Sequence, residues 1–305
     1  MSFKSADLIK RLDHEAHDTD VSDLEAQLAS LQKESDFAGL AKLYYNMGAR
    51  CMDAEDYDRA MMYLSRADNI YTSDDGIYEQ VGEELIDDCA ERICRLDEIP
   101  TFTTLVLHSV QEAAKNLDET QIRLAGLLTL ARFVKLGERL SFLPGCESLG
   151  ELGEIVSLIM RSFHEPLSKD DFLYLKDFCD DFYEFTDSEC FFDINNQAET
   201  PCGAPVQVFD LNGLTAMIEL NLYLDSHLSL FAEDKEPEVA ECDFIPAALL
   251  PDYYLRTSKK PLADNPHIQK ELERIQSDLE FISERPSWES IAKRAAEYAE
   301  LDILL

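Results

Sequence analysis

The chain has 305 residues, with 62 Asp and Glu against 27 Lys and Arg, for a formal net charge of -35; so negative a surface repels phosphate backbones and anionic lipid, which argues against direct nucleic-acid or membrane-surface binding and favours cationic partners. A hydrophobic content of 46% excludes global disorder, and 11 Gly with 11 Pro are too few for an all-β sandwich or a glycine-rich nucleotide enzyme. Eight Cys (51, 89, 94, 146, 179, 190, 202 and 242) form no CxxC pair, the N-terminus has no apolar signal region, and no window approaches 18 uncharged apolar residues, so a cytoplasmic, reducing location is expected.

Residues 1–20 form a leader, after which Ser22 and Glu25 have the spacing of a capping box and start a helix over 22–34. In FAGLAKLYYNMGARCM, residues 37–52, the positions Leu40, Tyr44, Met47 and Cys51 recur every three or four residues and make one helical stripe. Gly48 sits beside that stripe. A Gly inside a helix costs about 1 kcal/mol relative to Ala, so close approach of a neighbouring helix is the expected reason for it. After a short AEDY turn, Tyr57, Ala60, Leu64 and Ala67 form a second stripe over 57–71, with Gly48 and Ala60 expected at the contact of the two helices.

This hairpin resembles the tetratricopeptide repeat, whose pattern of aromatic, large and small positions is matched by Tyr44, Met47, Gly48, Tyr57, Ala60, Leu64 and Ala67; Thr72 stands where the family's closing Pro would fall. A step of about 34 residues, the family's period, carries Tyr44 to Tyr78, Met47 to Val81, Gly48 to Gly82 and Cys51 to Leu85, a partial second unit. The resemblance implies stacked helical hairpins and a groove that holds an extended peptide or a helix. Tyr45, Asn46, Arg50, Glu79 and Glu83 are the positions that such a groove would present.

Further helices are expected over 76–95, 102–115, 119–136, 149–163 and 169–185, the third with a weaker capping box in Asp118 and Gln121 and the fourth with Ser148 and Glu151. The expected fold class is therefore all-α, a superhelical solenoid of hairpins over 21–185 followed by an acidic, loop-rich region over 186–305. DINNQAETPCGAPVQVFDLNG, 193–213, reads as a long loop in which VQVF is compatible with a short strand or one small β-hairpin. In 214–231 an alternating pattern competes with a helical one, and Leu and Met propensities favour helix. A second irregular stretch over 232–266 carries five Pro. Asn265 and Pro266 then begin a helix with Ile268, Leu272, Ile275, Leu279 and Ile282 on one face, and Trp288, Ile291, Ala295 and Tyr298 mark a last helix. These two close on each other as an intramolecular hairpin.

Between Asp177 and Leu255 there are 18 acidic residues and one basic residue, Lys235. Within it, Phe178, Phe182 and Phe185 share a helical face, and Asp177, Asp180, Asp181 and Glu184 lie beside it. The face is either a solvated surface over a phenylalanine core or the acidic wall of a binding surface.

Signals for chemistry are weak. His14 and His17 lack the spacing of HExxH, and Asp210, Asn212 and Gly213 depart from a calcium loop. There is no GxSxG elbow and no phosphate-binding loop, while His108, His164, His227 and His267 stand alone in sequence. No cofactor and no metal are expected. The expected function is that of a non-enzymatic adaptor for a protein or basic peptide, without direct contact to nucleic acid or membrane. Two alternatives stand beside it: a hydrolase-type enzyme using Asp187, Glu189, Asp193 and His227 next to loop 193–213, and an acidic mimic of nucleic acid.

Overall fold

A computed structural model of the chain describes residues 20–24, 26–27, 31, 36–72, 75–99, 101–141, 147–186, 223–224, 226–231, 242, 244–250, 254–255 and 262–303. Among them there are helices and no strand, so the protein is all-α. VQVF, the loop 193–213 and most of 232–261 lie outside the described residues.

Helix α1 (Phe37–Asp53) begins where the Asp36 carboxylate accepts from Gly39 N at 2.8 Å, and Ala54–Asp56 turn the chain into α2 (Tyr57–Thr72). All four predicted stripe positions of α1 are buried, as are Ala60, Leu64 and Ala67 of α2. The nearest neighbour at Gly48 is Leu64: a β-carbon on Gly48 would lie 2.6 Å from Leu64 Cγ and 3.1 Å from Leu64 N.

The expected helix over 76–95 is two helices, α3 (Asp75–Val81) and α4 (Glu83–Asp97), because Gly82 breaks it with φ +95°. The two glycines that a 34-residue step aligns thus do different work. Gly48 leaves room for a neighbour, whereas no atom comes within 4 Å of a β-carbon on Gly82, whose backbone angle is one that L side chains rarely adopt.

Glu25 of the expected capping box with Ser22 lies outside the described residues, and before it Asp20 Oδ1 accepts from Ser22 N (3.1 Å) and Ser22 Oγ (2.6 Å). Ser148 is not the cap expected of it: residues Glu147–Glu151 form a 3-10 turn and α8 (Leu152–Ser162) starts after it without a side-chain cap. The box given less weight is complete, with Gln121 N donating to Asp118 Oδ1 and Asp118 N donating to Gln121 Oε1, both at 2.9 Å. It starts α6 (Glu119–Arg132), which continues past Phe133 as α7 (Val134–Leu140). Before it, α5 (Phe102–Ala114) has its own box in Thr101 and Thr104, and the Asp58 carboxylate of α2 accepts from Phe102 N at 3.1 Å.

α9 (Lys169–Thr186) follows α8, and α10 (Pro266–Ser283) and α11 (Trp288–Ala299) form the terminal hairpin. Asn265 caps α10 by accepting from His267 N at 2.9 Å, as its pairing with Pro266 predicts. Tyr223, Leu224 and residues 226–228 are helical, the state that Leu and Met propensity favours for the end of 214–231.

Buried apolar side chains fall into two cores. One joins α1, α2, α4 and α5 to Ile268, Leu272, Ile275 and Leu279 of α10; the other joins α6, α7, α8 and α9 to Ile282 of α10 and to Ile291, Ala295 and Tyr298 of α11. Residues Arg123–Arg132 of α6 are buried on every side of the helix, so α6 lies at the centre of the packing rather than on a surface. The terminal hairpin packs against α6, and Gln121 Nε2 donates to Ile282 O at 2.9 Å.

Candidate functional site

The surface built from α1, α3 and α4 carries the five predicted groove positions. α1 packs against α3, where Lys42 Nζ donates to Gln80 O at 2.9 Å. Asn46, Glu79 and Glu83 are exposed. Tyr45 and Arg50 are instead committed within the chain. The Tyr45 hydroxyl donates to the Asp88 carboxylate of α4, and the Arg92 guanidinium lies 5.8 Å from the Tyr45 ring centre. Loss of water and the bond to Asp88 hold the Tyr45 hydroxyl above its ordinary pKa, while the bonds from Tyr45 and Arg92 hold Asp88 below its own. Arg50 makes a two-pronged contact with Asp23 and donates to Asp20 O at 3.2 Å, which ties the segment before α1 to it.

Around Glu79 and Glu83 the charge is denser than those two residues suggest. Glu84 and Asp87 of α4 are also exposed, and none of the four has an ion-pair partner among the described residues. Tyr78, 40% exposed, stands among them. The surface therefore combines uncompensated carboxylates with one accessible aromatic ring.

The acidic face of α9 is solvated where it is described. Asp177, Asp180 and Asp181 are exposed over buried Leu175, Phe178 and Cys179, and Asp180 pairs with Lys176. The side chains of Phe182, Glu184 and Phe185 lie outside the described residues. So do Asp187, Glu189 and Asp193 of the hydrolase alternative, His14, His17, and the DLNG segment.

His227, the remaining residue of that alternative, is 1% exposed, with Nε2 2.9 Å from Ser162 Oγ. Ser162 Oγ also donates to Ile159 O at 2.6 Å, which leaves Nε2–H of the imidazole as the donor to Ser162 and Nδ1 as a lone pair. Nδ1 is buried without a hydrogen-bond partner. Burial among Phe163, Tyr223 and Phe231, with the Arg123 guanidinium near, depresses the imidazole pKa to about 3. So weak a base takes little of a serine proton near neutral pH. Arg123 fixes the same segment by donating to Ser226 O at 2.8 Å, and Tyr223 OH donates back to Arg123 O at 2.8 Å.

Sequence reasoning also missed a buried ion network. Arg132, fully buried at the end of α6, donates to Glu271 Oε2 (3.3 Å) and to the Asp278 carboxylate on α10. Asp278 Oδ1 further accepts from Tyr298 OH and lies 2.8 Å from Arg294 Nε, while Arg274 bonds Glu271. Burial pushes the Asp278 carboxyl up, and Arg132 and Arg294 oppose the shift. Each acid is met by arginine, so the network fastens α6 to the terminal hairpin. Glu271 and Asp278 share a helical row with Ile275 and Ile282; two acids in an apolar row are the sequence signal for a buried cation.

Among the described residues no three His, Cys, Asp or Glu are grouped to hold a metal ion, and no helix is long and apolar enough to cross a membrane. No protein-family model, curated protein or solved structure matches the chain.

Proposed function

We propose that the protein is a non-enzymatic adaptor that holds a basic protein or peptide segment on the face formed by α1, α3 and α4, the part of the chain that resembles a tetratricopeptide repeat. The observation that carries this reading is the group Glu79, Glu83, Glu84 and Asp87, exposed and without cation partners among the described residues, beside accessible Tyr78. Uncompensated carboxylates steer a cation to the surface, and an aromatic ring gives it an apolar contact on arrival.

The test is the affinity of a lysine- and arginine-rich peptide for the wild type, for a variant carrying Glu79→Gln, Glu83→Gln, Glu84→Gln and Asp87→Asn, and for one carrying Asp177→Asn, Asp180→Asn, Asp181→Asn and Glu184→Gln. The first variant should bind several-fold more weakly at low salt, with the difference shrinking toward 1 M as the Debye length falls to about 3 Å. The α9 variant should bind nearly as the wild type does. Equal affinity of the α3–α4 variant and the wild type at every salt concentration would overturn the reading.

A further inference from the structure

A second exposed surface of different chemistry lies at the end of α8 and the start of α11. Phe163 and Trp288 are half-buried with ring centres 6.0 Å apart, and exposed His164 meets Trp288 at 89° with centres 4.0 Å apart. Behind Phe163 stands buried His227, 5.6 Å away and held by Ser162, so the first ring is supported from inside the core. Glu165, Glu284 and Glu289 flank these rings in sequence, all exposed and all without an ion-pair partner among the described residues.

Partly exposed rings with unpaired carboxylates close by in sequence attract a cation through the ring quadrupole and through charge together, and Trp is the strongest of the aromatic partners. The fold uses this geometry for its own arginines: Arg294 lies 4.7 Å from the Phe281 ring centre, Arg132 4.9 Å from Tyr298 and Arg92 5.8 Å from Tyr45. No described Arg or Lys lies over Phe163 or Trp288. We propose that Phe163, His164 and Trp288 form a docking platform for an arginine side chain of a partner. Arginine rather than lysine fits because its guanidinium is planar, stacks on rings and sheds water more readily than an ammonium. Rings already fixed in place lose little freedom when they are covered.

The platform names the chemistry of the basic partner proposed above and rests on that reading, but it is a separate surface on the other core. Trp288 is the single tryptophan of the chain, so its emission reports on this place alone. The full chain is titrated with a capped peptide of alternating Gly and Arg, with the same peptide carrying citrulline, and with a lysine version. Binding is followed by Trp288 emission and by calorimetry. The expected result is a saturable change in emission with the arginine peptide, at least tenfold weaker with citrulline and several-fold weaker with lysine. Glu284→Gln with Glu289→Gln should weaken the arginine response, and Trp288→Phe should lower the calorimetric affinity. Calorimetric binding with unchanged Trp288 emission would sink the platform while leaving the α3–α4 reading intact. An equal response to the citrulline peptide would sink it as well. A Trp288 response kept in the α3–α4 variant, with calorimetric binding weakened but not abolished, would support the platform as an independent contact.

Discussion

Leu64 fills the space that Gly48 leaves open: a β-carbon on Gly48 would sit 2.6 Å from Leu64 Cγ, 2.9 Å from Cδ2 and 3.1 Å from the Leu64 backbone nitrogen. Gly48→Leu must therefore push α1 and α2 apart and should cost about 1–3 kcal/mol. Gly48→Ala should also destabilise, although Ala is the better helix former by about 1 kcal/mol, because the backbone of α2 cannot turn aside as a side chain can. Urea midpoints check both. A stabilised alanine variant would show that the hairpin contact is looser than the structure has it.

Gly82→Ala tests a different property. Its φ of +95° is hard for any residue with a side chain, although no neighbour lies within 4 Å of the position. The substitution should cost on the order of 1–3 kcal/mol through the backbone alone. An unchanged or raised melting temperature would mean that α3 and α4 can fuse into one helix at no cost.

Arg132→Met removes the cation that Glu271 and Asp278 share. Breaking a buried pair in this way costs about 3–5 kcal/mol. Arg132→Met combined with Asp278→Leu should lose less than the sum of the two single variants, since each single change already removes the bond between these two residues. Strict additivity in denaturant unfolding would contradict a direct coupling.

His227 gives the protein a pH dependence with a definite sign. Its folded-state pKa of about 3 lies below the ordinary 6.5, so the unfolded chain takes up a proton there before the folded chain does. The contribution to stability is complete above pH 6.5 and is lost as the pH falls toward 3, at up to about 1.4 kcal/mol per unit. His227→Phe, which keeps a ring among Phe163, Tyr223 and Phe231, should lose less stability than the wild type between pH 7 and pH 5. Equal losses would assign the dependence to other groups.

The helices were largely legible in the sequence because caps and stripes are local. Asp118 with Gln121 and Asn265 with Pro266 mark helix starts, and the rows through Leu40 and Ile268 name the residues that are buried. What stayed hidden is set by partners far along the chain. Gly82 looked like a second Gly48 because sequence shows a glycine's identity and not its φ. Tyr45 and Arg50 looked available because Asp88 lies 43 residues from the one and Asp23 lies 27 residues from the other. Ser162 and His227 are 65 residues apart, and Arg132 is 139 and 146 residues from its two acids.

The arrangement of α10 has a consequence for how the chain folds during synthesis. Ile268, Leu272, Ile275 and Leu279 complete a core whose other walls are α1, α2, α4 and α5. A ribosome adding about 5–20 residues per second needs roughly 10–40 s to travel from the end of α2 to the start of α10. The same interval separates the emergence of α2 from that of α10, and throughout it the side of the first core that α10 covers stays open, in the condition that chaperones recognise. The nascent chain thus passes through a long stage of exposed grease, and it ends only when the last two helices arrive.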